Sequence, residues 1–161
     1  DHVTILQASP LRVWSVLTDF AGHRNWKPFS QLAGDAVEGG DATYSYRVGG
    51  LDKRITATAA IIRVEKPREF AWTAGVSKLL LFEEAYELES APTGTRLRHS
   101  MRFTGLLGGP LVALRRRILE ASLVTSDRCL ERYLRRLAAN SSAKLRSASA
   151  RHGVKKTGRQ K

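Results

Sequence analysis

Residues 80–104 alternate so regularly that they constrain the whole chain. In the first half, Phe82, Glu84, Tyr86 and Leu88 share one face, and Glu83, Ala85, Glu87 and Glu89 share the other. Ala91-Pro92-Thr93-Gly94 then supplies a turn. In the second half, Leu97, His99, Met101 and Phe103 form one row and Arg96, Arg98 and Arg102 the opposite one. A row of Glu facing a row of Arg pairs across two antiparallel strands. Such a hairpin is not stable alone and must lay its apolar face on another element. The chain provides one shortly afterwards. Over residues 111–138, Leu119, Leu123, Leu130, Leu134 and Leu137 fall in one narrow stripe at helical spacing.

The remaining elements follow from the same periodicities. Residues 2–7 form a short strand with apolar Val3 and Ile5. Ser9 is placed to cap a helix over 10–19, with Pro10 at its first position, where a missing N–H costs nothing. Residues 21–27 form a second short helix or turn, and 31–37 a weak strand. Residues 42–48 alternate, with Tyr44, Tyr46 and Val48 on one side, and Gly49-Gly50 turns the chain. Residues 53–65 are rich in β-branched side chains, and 69–75 carry Phe70 and Trp72 on one face. Hairpin-linked strands with helices at both ends argue for an α+β class built on an antiparallel sheet.

Four marks occur in a telling order: Ala8-Ser9-Pro10 with Trp14, Trp26-Lys27-Pro28-Phe29, residues 64–72 (Val-Glu-Lys-Pro-Arg-Glu-Phe-Ala-Trp), and Gly94-Thr95-Arg96-Leu97 leading to Phe103-Thr104-Gly105-Leu106. Together they resemble the START-like superfamily, also called SRPBCC or polyketide cyclase/dehydrase-like. The resemblance covers most of residues 3–138. It implies a helix-grip fold: a curved antiparallel sheet of six to seven strands wrapped around a long C-terminal helix, with two short helices after the first strand. It also implies an internal pocket for a hydrophobic small molecule. It implies no fixed catalytic set, because members share a pocket rather than a reaction.

The formal charge of +12 points to an anionic partner until its distribution is considered. Residues 139–161 hold seven Lys and Arg and no acid; without them, 20 basic residues face 15 acidic ones, a balance of +5. The reading is a ligand-binding domain over 1–138 and a basic, disordered tail over 139–161, able to make weak contact with an anionic membrane or nucleic acid. One cysteine, Cys129, forbids an internal disulfide and fits a reducing, cytoplasmic setting. The chain opens directly on a strand, with no signal peptide, and it lacks an initiator Met, so a removed leader stays open. No stretch is long and apolar enough to span a bilayer. His2, His23, His99 and His152 are scattered without metal-ligand spacing, so neither metal nor cofactor is expected.

The pocket lining is expected from inward strand residues and the helix: Tyr44, Tyr46, Trp72, Phe82, Glu84, Tyr86, His99, Met101 and Phe103, with Ser122 and Ser126 beside the Leu stripe. Arg115 leans toward that stripe and is suited to guard an entrance and meet an acidic ligand group. The apolar loop 105–110 next to it suits a lid, a membrane-touching tip or a simple cap on the core. Trp14 and Trp26 are read as packing residues. Glu84 and His99 fall on inward faces of adjacent strands, close enough for general acid–base work. The plainer and preferred reading is a self-satisfied polar pair in an apolar surround. Three functions follow: binding of a lipid or polyketide-like aromatic for transport or sensing, a cyclase or dehydratase using Glu84 and His99, or anionic-surface and nucleic-acid association through the tail.

Overall fold

A computed structural model describes the backbone of residues 1–47 and 54–156, and side chains as far as residue 143. Val48, the Gly49-Gly50 turn and the basic side chains from Lys144 onward lie outside the described residues. The elements run β1 (His2–Leu6), α1 (Pro10–Leu17), a short 3-10 helix (Phe20–Asn25), β2 (Ser30–Gly34), β3 (Asp41–Arg47), β4 (Arg54–Glu65), β5 (Glu69–Val76), β6 (Leu80–Ala91), β7 (Gly94–Thr104) and α2 (Gly108–Lys156). The seven strands form one antiparallel sheet in the order β1-β7-β6-β5-β4-β3-β2. The α+β helix-grip architecture is the one expected.

The β6–β7 register matches the charge rows: Glu83 lies opposite Arg102, Glu87 opposite Arg98 and Glu89 opposite Arg96. Their hairpin turns at Gly94, whose φ of 143° suits glycine, and a Cβ there would sit 2.1 Å from the Leu6 carbonyl oxygen. That close approach, with the Thr95 hydroxyl donating to the Ala8 carbonyl at 2.6 Å, ties the hairpin to the end of β1. In β1 the inward row is His2, Thr4 and Leu6; Leu6 is buried, whereas the apolar Val3 and Ile5 are exposed.

The Ser9 hydroxyl accepts from the Arg12 amide at 3.3 Å and Pro10 opens α1, as the capping pattern requires. Val13, Trp14, Val16 and Leu17 form its buried face. The second short helix is 3-10 rather than α, and Asp19 caps it through the Gly22 amide at 3.1 Å. It returns the chain beneath the sheet and buries Phe20, His23, Trp26 and Lys27. Trp14 meets Phe70 edge-on at 6.4 Å, so both early tryptophans pack as expected.

Helix α2 packs against β7 and β1 through Leu123, Leu130 and Leu134. It begins at Gly108 and runs past residue 138, where sequence periodicity ends it, to Lys156. The disordered tail expected from 139 is thus helical backbone as far as Lys156. Loss of an apolar stripe does not end a helix when Ala, Leu, Lys and Arg dominate, because these residues favour helix in their own right. Residues 157–161 lie outside the described residues.

Candidate functional site: a sealed ion network beside an open aromatic wall

The concave face of the sheet carries two unlike regions. The first is a chain of charged groups deep under α2. Glu84 on β6 lies diagonally from His99 on β7, since Glu84 pairs with Met101 and Tyr86 with His99. His99 Nε2 donates to Glu84 Oε1 at 2.9 Å, and His99 Nδ1 donates to Asp127 Oδ1 of α2 at 2.7 Å. Glu84 Oε1 also accepts from the Tyr86 hydroxyl at 2.7 Å, and Oε2 accepts from Lys27 Nζ at 2.9 Å. At the far end, His2 Nδ1 of β1 donates to Asp127 Oδ2 at 2.6 Å. All of these groups except His2 are buried, with His99 at 0% and Glu84 at 1% exposure.

Both ring nitrogens of His99 face carboxylates, which requires an imidazolium. Burial pulls the His99 pKa down, but the hydrogen bonds and charges of Asp127 and Glu84 outweigh it and raise it above the ordinary value. For Glu84, burial pushes the pKa up, and Lys27, His99 and Tyr86 together overturn that and hold it well below the usual carboxylate range. Two cations thus balance two carboxylates. The ammonium of Lys27 also sits 5.4 Å from the Tyr86 ring centre and 5.6 Å from that of Trp72, close enough for cation–π attraction. Next to it, burial and then Lys27 lower the pKa of His23 to about 4, so its ring is neutral and donates from Nε2 to the Leu17 carbonyl at 2.8 Å.

The second region lies toward the other end of the same strands. Phe82 on β6 has ring centres 5.0 Å from Phe103 on β7, 5.2 Å from Trp72 on β5 and 5.9 Å from Tyr44 on β3. Tyr44 continues the contact to Trp72 at 4.7 Å and to Tyr46 at 6.5 Å. Tyr44, Phe82, Met101 and Phe103 are only half-buried, and Tyr46 is exposed. Burial, then the Glu84 charge, raises the Tyr44 hydroxyl pKa, so it stays protonated as a donor.

Asp127 points to His2, which fixes the flank of α2 that faces β1. By helical angle the opposite flank carries Ile118, Ser122 and Cys129. Ser122 is half-buried, with its hydroxyl bonded back to the Leu119 carbonyl at 2.8 Å, while Ser126 is buried. Arg115 is exposed on the same side of α2 near its start. Of the residues expected to line a pocket, Tyr44, Phe82, Met101, Phe103 and Ser122 are half-buried and Tyr46 is exposed. Glu84, Tyr86, His99 and Trp72 are buried.

Two open grooves lie elsewhere, one of about 610 Å³ against α1 between Ser9 and Lys66, the other of about 490 Å³ along Pro67, Glu87 and Glu89. Neither touches the aromatic wall or the ion network. Among the described residues no cluster of His, Cys, Asp and Glu is arranged to hold a metal, and no helix is long and apolar enough to cross a membrane.

Sequence reading misses Lys27, Asp127 and His2. Asp127 has a signal: it is an acid four residues after Leu123 and three before Leu130, inside the apolar stripe. His2 shares the inward row of Leu6. Lys27 has no signal, since a lysine in a polar turn reads as solvated.

The model of the family described as polyketide cyclase / dehydrase and lipid transport matches residues 1–142. The chain belongs to this family. Solved structures share the fold of this polyketide cyclase/dehydrase relative at low identity. Protein NE0264 from Nitrosomonas europaea is 18% identical with a TM-score of 0.70, the match covering 86% of this chain and 94% of that one. TTHA0849 from Thermus thermophilus is 17% identical with a TM-score of 0.63, covering 86% and 96%. DynU16, from the dynemicin biosynthetic locus, is 20% identical with a TM-score of 0.62, covering 83% of this chain and 46% of its own. No curated protein matches the chain significantly.

Proposed function

We propose that the chain binds a hydrophobic small molecule, such as a lipid or a polyketide-like aromatic, in a cleft between the aromatic wall and the Ser122 side of α2, for transport or sensing. The observation that carries this reading is the half-exposure of four contiguous inward-facing residues, Tyr44, Phe82, Met101 and Phe103, on the concave side of a sheet. Aromatic faces of this kind lose free energy when left in water and regain it under an apolar ligand, at roughly 25 cal/mol per Å² covered. The Tyr44 hydroxyl, at the border with the charged region, offers one donor to a carbonyl or carboxylate end of the ligand.

Proton transfer by Glu84 and His99 is disfavoured by their surroundings. A general base needs a free lone pair within reach of substrate. His99 has none, and Glu84 is held ionised by three donors in a region closed to water. The pair instead supports the cleft floor.

Titration with 1-anilinonaphthalene-8-sulfonate, followed by its fluorescence, tests the reading. Saturable one-to-one binding is expected, weakened by Ser122→Trp, which fills the cleft from the helix side. Native mass spectrometry of gently purified protein is expected to show a co-purifying small molecule. Binding that is unsaturable, or unchanged in Ser122→Trp, would place the probe elsewhere and remove the proposal.

A further inference from the structure

We infer that the tip of the molecule formed by the β5–β6 turn, the β7–α2 loop and the first turns of α2 is a docking surface for an anionic lipid bilayer. The two segments are locked together. The amides of Leu106 and Leu107 donate to the carbonyls of Lys78 and Leu79 at 2.8 and 2.9 Å. Gly105, at a φ of 91°, lets the chains approach so closely that a Cβ would lie 2.8 Å from the Leu79 carbonyl oxygen. The tip is therefore a built surface.

Its composition is the reverse of an ordinary tip. Leu106 is 76% exposed and Leu114 79%, and Val76, Leu79, Leu107 and Ile118 are exposed as well. Single exposed leucines need no explanation, but a contiguous group of this size on one tip does. The Leu111 amide donates to the Leu107 carbonyl at 3.0 Å, so Leu107 is already on the helical path. Leu107, Leu111, Leu114 and Ile118 then follow at helical spacing and form a second apolar stripe, apart from the buried Leu stripe.

Charge identifies the occupant. Residues 76–79 and 105–118 hold Lys78, Arg115, Arg116 and Arg117 and no acid. By helical angle Arg115 and Arg117 flank the exposed stripe on its two sides. Leucines aimed outward between two arginines match a bilayer interface, where apolar side chains enter the acyl boundary and guanidinium groups meet lipid phosphates. An apolar protein partner would not call for cations on both borders. The stripe also runs beside the Ser122 side of α2, which sets the mouth of the proposed cleft next to the lipid. The docking claim itself does not depend on the cleft being a binding site.

Co-sedimentation of the full chain with phosphatidylcholine vesicles, with and without phosphatidylserine, tests the inference. Stronger binding to the anionic vesicles is expected, falling as salt is raised. Leu106→Ser/Leu114→Ser, at two exposed positions and with circular dichroism as the check on folding, is expected to weaken it about tenfold. Arg115→Gln/Arg117→Gln is expected to lose the preference for phosphatidylserine, since each cation near an anionic surface contributes about fivefold. Wild-type binding by the double-Ser variant would assign any attraction to the basic far end of α2 and overturn the inference. Equal affinity for neutral vesicles would overturn it also. So would a wild-type dimer in sedimentation that the double-Ser variant abolishes, because the tip would then face a second copy.

Discussion

The inner face of β6 changes character within two residues. At Glu84 and Tyr86 it carries charge and hydroxyl, sealed from water; at Phe82 it carries an aromatic ring that is half in water. The ordinary arrangement is the reverse, with rings inside and charges outside. The inversion separates two roles. The sealed groups are joined to one another through five hydrogen bonds from Lys27 to His2, and both ring nitrogens of His99 are taken up in them. The open rings satisfy nothing and are available. In the proposed reading, chemically suggestive residues shape the site and chemically bland ones form it.

The largest effect expected from this division is on stability. Glu84→Ala removes the anion between two buried cations, leaving Lys27 without its carboxylate and His99 with Asp127 alone. Breaking a buried pair from one side costs about 3–5 kcal/mol, to be read from urea unfolding. A loss below about 1 kcal/mol, the range of exposed pairs, would show that the region is not sealed and erase the contrast. Glu84→Gln, which keeps the acceptor but not the charge, is expected to fall between the two.

The pH profile sharpens the same contrast. His23 has a folded pKa lowered to about 4 from 6.5, so its contribution is complete above 6.5 and is lost as pH falls toward 4. A gap of that size corresponds to roughly 3 kcal/mol at its limit. Glu84, also depressed, contributes above its ordinary value and loses that contribution as pH falls through its lower folded value. His99 runs oppositely: raised in the fold, it stabilises fully below 6.5 and loses that contribution as pH climbs through its folded value. Stability is thus expected to decline on the acid side below 6.5 through His23 and on the alkaline side above 6.5 through His99, and His23→Gln is expected to flatten the slope between 6.5 and 4. An unchanged slope in His23→Gln would move the titration to other groups.

Ligand binding separates the regions from the other side. Phe82→Ala is expected to weaken 1-anilinonaphthalene-8-sulfonate binding about tenfold, while costing less stability than the roughly 3–5 kcal/mol of a fully buried Phe→Ala change. Tyr44→Phe keeps the ring and is expected to leave stability within about 0.5 kcal/mol, as for surface changes generally. If Phe82→Ala destabilises like a core residue and leaves probe affinity intact, the wall is simply core.

Much of this is legible without coordinates, for a physical reason. Alternation and charge rows are local, and a register follows from them, so the pairings of Glu87 with Arg98 and Glu89 with Arg96 can be read from the chain. The closeness of Glu84 and His99 follows from the same register. The partners that decide what the pair does come from residues 27, 127 and 2, joined to it only by the fold. A lysine in a turn gives no hint that it will be buried. Asp127 does give one, as an acid inside an apolar stripe. Periodicity misplaces the end of α2 because lost amphipathicity is not lost helix: backbone propensity persists without a packed face.

The smallest expected effect lies on the outer face of the same hairpin. Arg96 Nη1 and Glu89 are 2.9 Å apart, the same separation as His99 Nε2 and Glu84. Yet Arg96 and Glu89 are exposed, so water screens the attraction and two long side chains lose freedom in making it. Glu89→Ala is expected to cost less than about 0.5 kcal/mol, and the cost is expected to shrink with added salt, whereas that of Glu84→Ala is expected to persist. A double-mutant cycle on Glu89 and Arg96 checks this. A coupling well above about 1 kcal/mol would mean that register, rather than burial, sets the value of an ion pair in this sheet. It would then be unsafe to assign the inner pair its structural role from burial alone.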